Sequence, residues 1–186
     1  MNSTTSLKLA ETTAELQQIL LLQEKNLSSH VSAADKKSNG FVTVKHDLDV
    51  LQKMNAAAKQ IIAKDGETVV GYALVMLKSF SSMIPVLQPM FDMFGKLNYN
   101  GKSLEQYTYY VMGQICIADT HRGMGIFEGL YAKHKEIYSP QFDICLTEIS
   151  SSNPRSMRAH EKVGFKVLHN FDDKTDNWNI MIWDWK

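Results

Sequence analysis

The sequence predicts an α/β protein in which strands and helices alternate around one sheet. Three observations support this: a strand followed by a helix at the start, an antiparallel hairpin near residues 60–77, and an alternation of strands and helices in the second half. The chain has 186 residues, of which 44% are hydrophobic, enough for one domain with a core. We therefore expect a single domain over residues 1–186, with an insertion at residues 79–108.

The first half of the chain is predicted to contain a short strand, two helices and a hairpin. Apolar residues of the first helix recur at helical spacing, and a Lys-Asp-Gly-Glu turn joins the two hairpin strands. In chain order we expect a strand at Leu7–Ala10, a helix from Thr12 or Thr13 to about Leu27, a turn at Ser38-Asn39-Gly40, a helix at Asp47–Ala58, and hairpin strands at Gln60–Ala63 and Thr68–Leu77.

The inserted segment is rich in Met, Pro and Phe, unlike the rest of the chain. Val86, Met90 and Phe94 recur at four-residue spacing, which predicts a helix, and Asn98-Tyr99-Asn100-Gly101 has the composition of a turn. This apolar stripe is compatible with a cover over the core, a face of a homodimer, or a lid over a bound ligand. Burial in the core or in an oligomer is the ordinary outcome for such a stripe.

The second half of the chain is predicted to alternate strands with helices and to end in an antiparallel pair. In chain order we expect a strand at Tyr109–Ala118, a helix at Gly123–Tyr138, a strand at Phe142–Ile149, a helix at Asn153–Val163 that Gly164 closes, and strands at Phe165–Asn170 and Trp178–Trp185.

Charge and composition narrow the class of partner. Twenty basic and twenty acidic residues cancel, so no net field attracts the protein to nucleic acid or to an anionic membrane. Residues 1–10 are polar, and the longest apolar run that follows, Ile19–Leu22, is far too short to span a bilayer. We therefore expect a cytoplasmic protein that binds neither nucleic acid nor membranes.

The two cysteines, Cys116 and Cys145, each lie inside an apolar segment that is predicted to be a strand. Free cysteine is among the most buried residue types, so we expect reduced core thiols rather than a disulfide, and no metal site. Burial raises the pKa of a thiol, which also argues against Cys116 as a nucleophile.

The strongest motif is the join between the strand at Tyr109–Ala118 and the next helix. A short polar turn leads to two glycines, Gly123 and Gly125, and then to an amphipathic helix. A helix N-terminus presents unpaired N–H groups and the positive end of a dipole, and glycine lets a phosphate approach the backbone. The same two glycines are also compatible with a tight turn that binds nothing.

The second motif runs from Ser152 to Phe165. Asn153 is predicted to cap a helix, Pro154 takes its first position, and Gly164 follows its end. Asn153 and His160 are seven residues apart, so they lie on one face of the helix.

In this order the two motifs resemble those of the GNAT superfamily of acetyl-CoA-dependent N-acetyltransferases. Arg122-Gly123-Met124-Gly125-Ile126 is similar to the pyrophosphate loop of that family, and Asn153–Phe165 is similar to its following helix, which ends in Gly-Phe. The resemblance implies a mixed, mostly antiparallel sheet of six to seven strands, with a splayed parallel central pair, flanked by about four helices plus the inserted one. The splayed strands would be Tyr109–Ala118 and Phe142–Ile149.

The resemblance also implies a binding site for acetyl-CoA as co-substrate. The pyrophosphate of CoA would bind the backbone of Arg122, Gly123, Met124, Gly125, Ile126 and Phe127. The pantetheine would lie along Ile115, Cys116 and Ile117, and Asn153 would contact the same arm. The backbone N–H of Ile117 would polarise the thioester carbonyl.

Three positions depart from the family pattern. Where the family often has a tyrosine that protonates the leaving thiolate, this chain has His160. A phenol with a pKa of about 10 and an imidazole with a pKa of about 6.5 are different acids, so His160 could protonate the thiolate, hydrogen-bond it, or be an ordinary helix histidine. Thr120 and Phe127 also depart, but a site built from backbone amides tolerates both.

The acceptor amine needs a base. An amine with a pKa of about 10.4 is neutral in only about one molecule in a thousand at pH 7, so a base, a water chain or desolvation must help to remove its proton. The Tyr109–Ala118 strand offers Gln114 but no carboxylate in its middle, and Glu148 near the end of the next strand is the predicted base, directly or through water. The ordinary alternative for Glu148 is a solvated carboxylate at a strand end.

Two functions are compatible with these residues. The first is an enzyme that transfers the acetyl group of acetyl-CoA directly to a primary or secondary amine, on a small molecule or a peptide, without a covalent enzyme intermediate. The second is a non-catalytic acyl-CoA-binding regulatory module that kept the phosphate site and lost the acid. Fold resemblance cannot choose the acceptor.

Overall fold

The computed structural model describes residues 5–32 and 40–186. The predicted turn at Ser38-Asn39-Gly40 lies outside the described residues except for Gly40. The strands of the described part are β1 (Ser6–Leu9), β2 (Ile61–Asp65), β3 (Thr68–Leu77), β4 (Asn98–Tyr99), β5 (Lys102–Ser103), β6 (Tyr109–Ile117), β7 (Ile144–Ser150), β8 (Lys166–Asp172) and β9 (Asn177–Asp184). Its α-helices are α1 (Thr13–Asn26), α2 (Leu48–Ala57), α3 (Gln88–Phe94), α4 (Ile126–Tyr138) and α5 (Pro154–Val163).

Seven of these strands form one sheet, in the order β1-β2-β3-β6-β7-β9-β8. Among the described strands of this sheet, β6 and β7 are the parallel pair and every other neighbouring pair is antiparallel. The predicted mixed, mostly antiparallel sheet with a parallel central pair is therefore confirmed. Strands β4 and β5 form a separate small hairpin.

The parallel pair separates soon after it begins. Residues 109–111 of β6 pair with residues 144–146 of β7, and the register ends there. Strand β7 continues to Ser150 on the other side, paired with β9. Beyond the paired residues, Thr147 still donates a hydrogen bond from its hydroxyl to the carbonyl of Met112 at 2.9 Å. The edge of β6 that faces β7 is therefore open from about Gly113 onward.

A bulge in β6 coincides with this separation. Leu74 of β3 pairs with Gln114, and the adjacent Val75 pairs with Met112, so Gly113 is the extra residue. A bulge reverses which face of the sheet the following side chains occupy. Val111 therefore packs in the core on the α1 side, whereas Ile115 and Ile117 pack on the α4 side.

The sheet separates two hydrophobic cores. The core on one face includes apolar residues of α1, α2 and α3, and the core on the other face includes those of α4 together with Phe165 and Trp183. This three-layer arrangement follows from the alternation of side chains along each strand.

Local sequence explains where the helices begin. Thr12 caps α1 through a capping box with Glu15, and Asp47 caps α2 by accepting a hydrogen bond from the Val50 N–H. Helix α4 begins at Ile126 rather than at the predicted Gly123. Asp119–His121 form a 3-10 turn, and the intervening glycines have positive φ.

The insertion serves as core cover and as a cavity wall. Its single α-helix, α3, begins after Val86, the first residue of the predicted stripe, because residues 78–83 and 85–87 form 3-10 turns. Met90, Phe91 and Phe94 are buried in the core, but Val86 is 64% exposed. The predicted four-residue stripe is therefore wrong at Val86, which precedes α3.

No helix within residues 5–32 and 40–186 has the length and apolar character needed to cross a bilayer.

A buried polar network ties β6 to the segment 42–46. The Gln114 side-chain oxygen accepts hydrogen bonds from Gln23 at 2.7 Å and from the Tyr72 hydroxyl at 2.6 Å, and its amide donates to the Val44 carbonyl at 2.8 Å. Gln23 also bonds the Nδ1 of His46 at 2.9 Å and accepts from the His46 backbone N–H. Burial lowers the pKa of His46 to about 4, so the imidazole is neutral and its Nδ1 can accept.

Replacing Gln114 with leucine should destabilise the fold. The change leaves the buried Tyr72 hydroxyl and the half-buried Val44 carbonyl without a partner and removes one of the two hydrogen bonds of the Gln23 amide, which costs about 2 to 4 kcal/mol of unfolding free energy. Urea denaturation measures this loss. The matched control is Gln141→Leu, an exposed glutamine with one hydrogen bond, which should change stability by less than about 0.5 kcal/mol. Equal effects of the two changes would contradict the role of the network.

Candidate functional site

The turn between β6 and α4 forms a concave backbone site. Gly123 and Gly125 have φ of +76° and +75°, and a Cβ on either glycine would have no atom within 4 Å, so both face open space. Backbone N–H groups in such a turn converge and bind anions. The first three N–H groups of α4 add to them, since the helical hydrogen bonds begin at Gly129.

A cavity of about 710 Å³ lies over this turn. Three basic side chains of α5 line it together with Arg122, whereas Glu128 is its one carboxylate within the described residues. The three basic residues are Arg155, Arg158 and Lys162. Their spacing of three and four residues places them on one face of α5. Sequence reasoning missed them, although this spacing after Asn153 was a signal that could have found them.

The open edge of β6 borders the same cavity. The Ala118 N–H donates to the Val70 carbonyl on the β3 side at 2.8 Å. Because N–H groups alternate in direction along a strand, those of Ile117 and Ile115 point to the opposite, unpaired edge. Both residues line the cavity.

Most of the predicted cofactor residues come together here. Those that line the cavity are Ile115, Cys116, Ile117, Arg122, Gly123, Gly125, Ile126, Phe127 and Asn153. Met124 is the exception, because it is 64% exposed and does not line the cavity. The Arg122 guanidinium lies over the end of β6, where it bonds the Ile117 carbonyl at 3.3 Å and the Asn26 side chain at 3.0 Å.

Asn153 occupies the predicted cap position. Its side-chain oxygen accepts a hydrogen bond from the Ser156 N–H at 3.2 Å, and its amide donates to the Phe41 carbonyl at 3.3 Å. Asn153 is only 6% exposed, so it fixes the segment at Phe41 against α5 while it lines the cavity.

His160 lies in the core rather than in the cavity. It is 1% exposed, and it packs edge to face against Phe127, Tyr131 and Phe165. Its Nδ1 donates to the Ser156 carbonyl at 2.7 Å, which leaves the buried Nε2 unprotonated and without a partner in the described part of the chain. Burial lowers the pKa of His160 to about 4, so the ring is neutral at pH 7 and Nε2 has no proton to give. The catalytic assignment of His160 stays a prediction, and this geometry argues against it.

The cysteines are free and buried, and burial raises the pKa of Cys116 and Cys145 to about 12 each. Thiols with so high a pKa are poor nucleophiles at neutral pH. Within the described residues, no group of three or more His, Cys, Asp or Glu side chains is arranged to hold a metal ion.

A second cavity, of about 1210 Å³, lies on the α1 side of the splayed strands. Glu148 of β7 lines it together with Val111, Met112 and Gly113 of β6. Phe41 lines both cavities, so the segment at Phe41 stands between them. The two cavities thus lie on either side of the β6 edge that the splay opens.

Glu148 is largely buried, and its Oε2 is buried without a hydrogen-bond partner among residues 5–32 and 40–186. Desolvation raises the pKa of Glu148 to about 8, and the negative charge of Asp173 adds to the shift. A carboxyl with this pKa can give and take a proton near neutral pH, which is unusual for glutamate and typical of acid–base residues. The alternative interpretation of Glu148 as a solvated strand-end carboxylate is therefore wrong.

Structure comparison finds solved structures with the same fold, although comparison of the sequence finds no related protein. No protein-family model and no curated protein sequence matches the chain. The structure of the NatC complex bound to Gag peptide and CoA aligns with a TM-score of 0.66 at 11% identity, over 98% of this chain and 99% of that chain. Naa50 from Arabidopsis thaliana, in complex with the bisubstrate analogue CoA-Ac-MVNAL, aligns with a TM-score of 0.65 at 13% identity, over 97% of this chain and 99% of that chain.

A third structure carries the family name. An acetyltransferase of the GNAT family from Streptococcus agalactiae aligns with a TM-score of 0.62 at 15% identity, over 98% of this chain and 96% of that chain. The chain has the GNAT fold. The splayed parallel pair and the predicted order of elements are the features that this chain shares with the GNAT fold, and identities this low establish the fold alone.

The raised pKa of Glu148 predicts a pH-dependent contribution to stability. Between its ordinary pKa of 4.5 and about 8, the unfolded carboxyl is ionised while the folded one keeps its proton. Unfolding therefore releases a proton, and this contribution to stability is lost as pH rises through that window. Relative to Glu148→Gln, the wild-type protein should lose roughly 3 to 5 kcal/mol of unfolding free energy from pH 4.5 to 8 and little above.

Urea denaturation of both proteins at several pH values measures the difference in their unfolding free energies. The contributions of groups that titrate identically in the two proteins cancel in that difference. A difference between wild type and Glu148→Gln that stays constant from pH 4.5 to 8 would contradict a raised pKa.

Proposed function

We propose that the protein is an N-acetyltransferase that moves the acetyl group of acetyl-CoA directly to an amine. The observation that carries this proposal is the pair of cavities of opposite charge on either side of the splayed strands. Among the described residues, four basic residues and one carboxylate line the smaller cavity, whereas the carboxyl groups of Glu148, Asp173 and Asp176 and one lysine line the larger. The first suits the phosphates of a nucleotide and the second suits an ammonium group.

The smaller cavity fits CoA in charge and in shape. The first amides of α4, together with those at Gly123 and Gly125, are free to bind a pyrophosphate. Arg155, Arg158 and Lys162 supply further positive charge for phosphate groups. The Ile115 and Ile117 N–H groups are available to an extended pantetheine, as an added strand would be. Bound acetyl-CoA supplies the activated acetyl group.

The residues of β6 and β7 supply positioning and proton transfer. The Ile117 N–H is a donor for the thioester carbonyl, whose charge increases during acyl transfer. Glu148 is proposed as the general base that takes a proton from the bound ammonium, directly or through one water. With a pKa of about 8 it is a stronger base than an ordinary glutamate, and its ionised fraction, about one tenth at pH 7, rises as the pH approaches 8.

We further propose that residues 1–186 form a single catalytic domain, since the described strands from β1 to β9 share one sheet apart from the β4–β5 hairpin. His160 is proposed to maintain the packing of α5 on α4, through its contacts with Phe127 and Tyr131. Loss of an acid at this position therefore does not favour the non-catalytic module.

A charged side chain at Gly125 should abolish CoA binding. Gly125→Asp places a carboxylate among the amides that would hold the pyrophosphate, so micromolar binding of acetyl-CoA and CoA measured by calorimetry should weaken at least about 100-fold. Gly101→Asp is the matched control, because Gly101 has φ of +76°, an equally open surrounding, and a place in the β4–β5 turn outside both cavities. This control should bind CoA like wild type. A folded wild-type protein that fails to bind acetyl-CoA would overturn the proposed function.

Loss of the Glu148 carboxyl should slow acetyl transfer without loss of CoA binding. Glu148→Gln keeps the size of the side chain but removes the base, so kcat for thiol release should fall about 10²- to 10⁴-fold while the calorimetric affinity for CoA stays unchanged. The pH profile of kcat/KM in the wild-type protein should contain an ionisation near the pKa of about 8, which Glu148→Gln removes.

The control for this experiment is Glu105→Gln, an exposed glutamate that pairs with Lys78 outside both cavities. Its rate should match that of the wild-type protein. A protein that binds CoA but releases no thiol with any amine would instead support the acyl-CoA-binding module.

A further inference from the structure

The walls of the larger cavity are mostly apolar and come from two different parts of the chain. Strands β3 and β6 contribute Met76, Val111 and Met112. The insertion contributes the opposite wall, with Pro85, Val86, Leu87, Pro89 and Met90. Trp178 of β9 completes the apolar surface.

The packing of the core does not explain why the Val86 side chain is exposed. It is 64% exposed, precedes the buried part of α3, and lines the cavity. Exposed apolar side chains are common singly, but here the neighbours Pro85 and Leu87 line the same cavity. The insertion therefore presents Pro85 and Val86 to the cavity, next to Leu87, which packs partly against the core.

The charges of this cavity are acidic and unevenly placed. Glu148 lies beside the splayed strands, whereas Asp173 and Asp176 belong to the turn between β8 and β9, with Lys174 between them. Hydrogen bonds from Thr175 lower the pKa of Asp173 to about 2, so this carboxylate is ionised at neutral pH. One ammonium among these three carboxyl groups would be favourable, whereas the apolar wall at Val86, Leu87 and Trp178 offers no carboxyl group to a second cation placed against it.

We infer that the acceptor is a primary amine carried on an apolar group, aliphatic or aromatic. This inference rests on the proposed function and specifies its substrate class. The ammonium would lie at Glu148, and the apolar group would lie against Val86, Leu87 and Trp178. An apolar group of that size contributes about 1 to 3 kcal/mol of binding, whereas a second cation buried there without a partner opposes binding.

The chemistry balances with the groups named. The amine nitrogen forms a bond to the acetyl carbon as the carbon–sulfur bond breaks, which yields an N-alkyl acetamide and CoA. Of the two protons that the ammonium loses, one passes to Glu148 and then to solvent, and the other ends on the CoA thiol. No oxidant or further reactant is required.

Two kinds of acceptor carry a primary amine next to an apolar group. One is a small free amine, and the other is a peptide whose first side chain is apolar, with its α-amino group as the acceptor. A panel of acceptors distinguishes them. The panel contains 2-phenylethylamine and hexylamine as apolar amines, ethanolamine as the matched polar amine, spermidine as a polycation, and tetrapeptides that begin with methionine or with serine. Thiol release with acetyl-CoA gives kcat/KM for each.

We expect kcat/KM for 2-phenylethylamine or for the methionine peptide to exceed that of its polar counterpart by at least about tenfold. Val86→Asn should reduce that ratio about fivefold, mainly through KM, because it makes the apolar edge polar without adding charge. Leu21→Asn is the matched control, since Leu21 on α1 is 65% exposed and outside both cavities. It should leave the ratio unchanged.

A binding measurement separates this inference from the proposed function. Calorimetric titration of 2-phenylethylamine and ethanolamine into the protein, with CoA present, reports affinity for the cavity whether or not acetyl transfer occurs. Tighter binding of the apolar amine in wild type, weakened in Val86→Asn, supports the inference. Equal binding of the two amines, or turnover that favours spermidine or ethanolamine, overturns it. If turnover favours spermidine or ethanolamine, acetyl transfer itself would still be established.

Discussion

The separation of β6 from β7 is the constraint on which the site depends. A parallel pair that stays hydrogen-bonded to its end offers no backbone groups to a ligand, but this pair is bonded only from Tyr109 to Val111. Gly113 forms the bulge in β6 at the same point. The open edge then runs to Ile117 and ends at the N-terminus of α4. One strand edge therefore connects the glycine turn to the centre of the sheet.

The two sides of this opening differ in their electrostatics. Helix α4 directs its positive end toward one cavity, and α5 places Arg155 and Arg158 around it. On the other side the turn between β8 and β9 adds carboxylates beside Glu148. The chain as a whole has no net charge, so the attraction of opposite ligands to opposite faces comes from placement and not from composition.

Buried polar groups hold the segments on both sides of the β6–β7 separation in place and set the pKa of Glu148. The Gln114 network holds the segment 42–46 against β6, and Asn153 holds Phe41 from the other side. In that network every polar group named has a partner, whereas the Oε2 of Glu148 has none among the described residues. The same low dielectric that strengthens the network raises the pKa of Glu148. Stability and reactivity at this site thus have a common physical origin.

The sequence by itself determined the order of elements, because hydrophobic periodicity, the caps at Thr12, Asp47 and Asn153, and the glycines after β6 are local signals. It also identified the turn at Gly123 and Gly125 and the carboxylate of Glu148. Only the tertiary structure decided which groups are desolvated and which share a cavity: His160 is buried, Arg155 and Arg158 line the first cavity, and Val86 lines the second. The spacing of Arg155 and Arg158 indicates that they share a helix face, but burial and a shared cavity depend on contacts between segments far apart in the chain, which local patterns do not record.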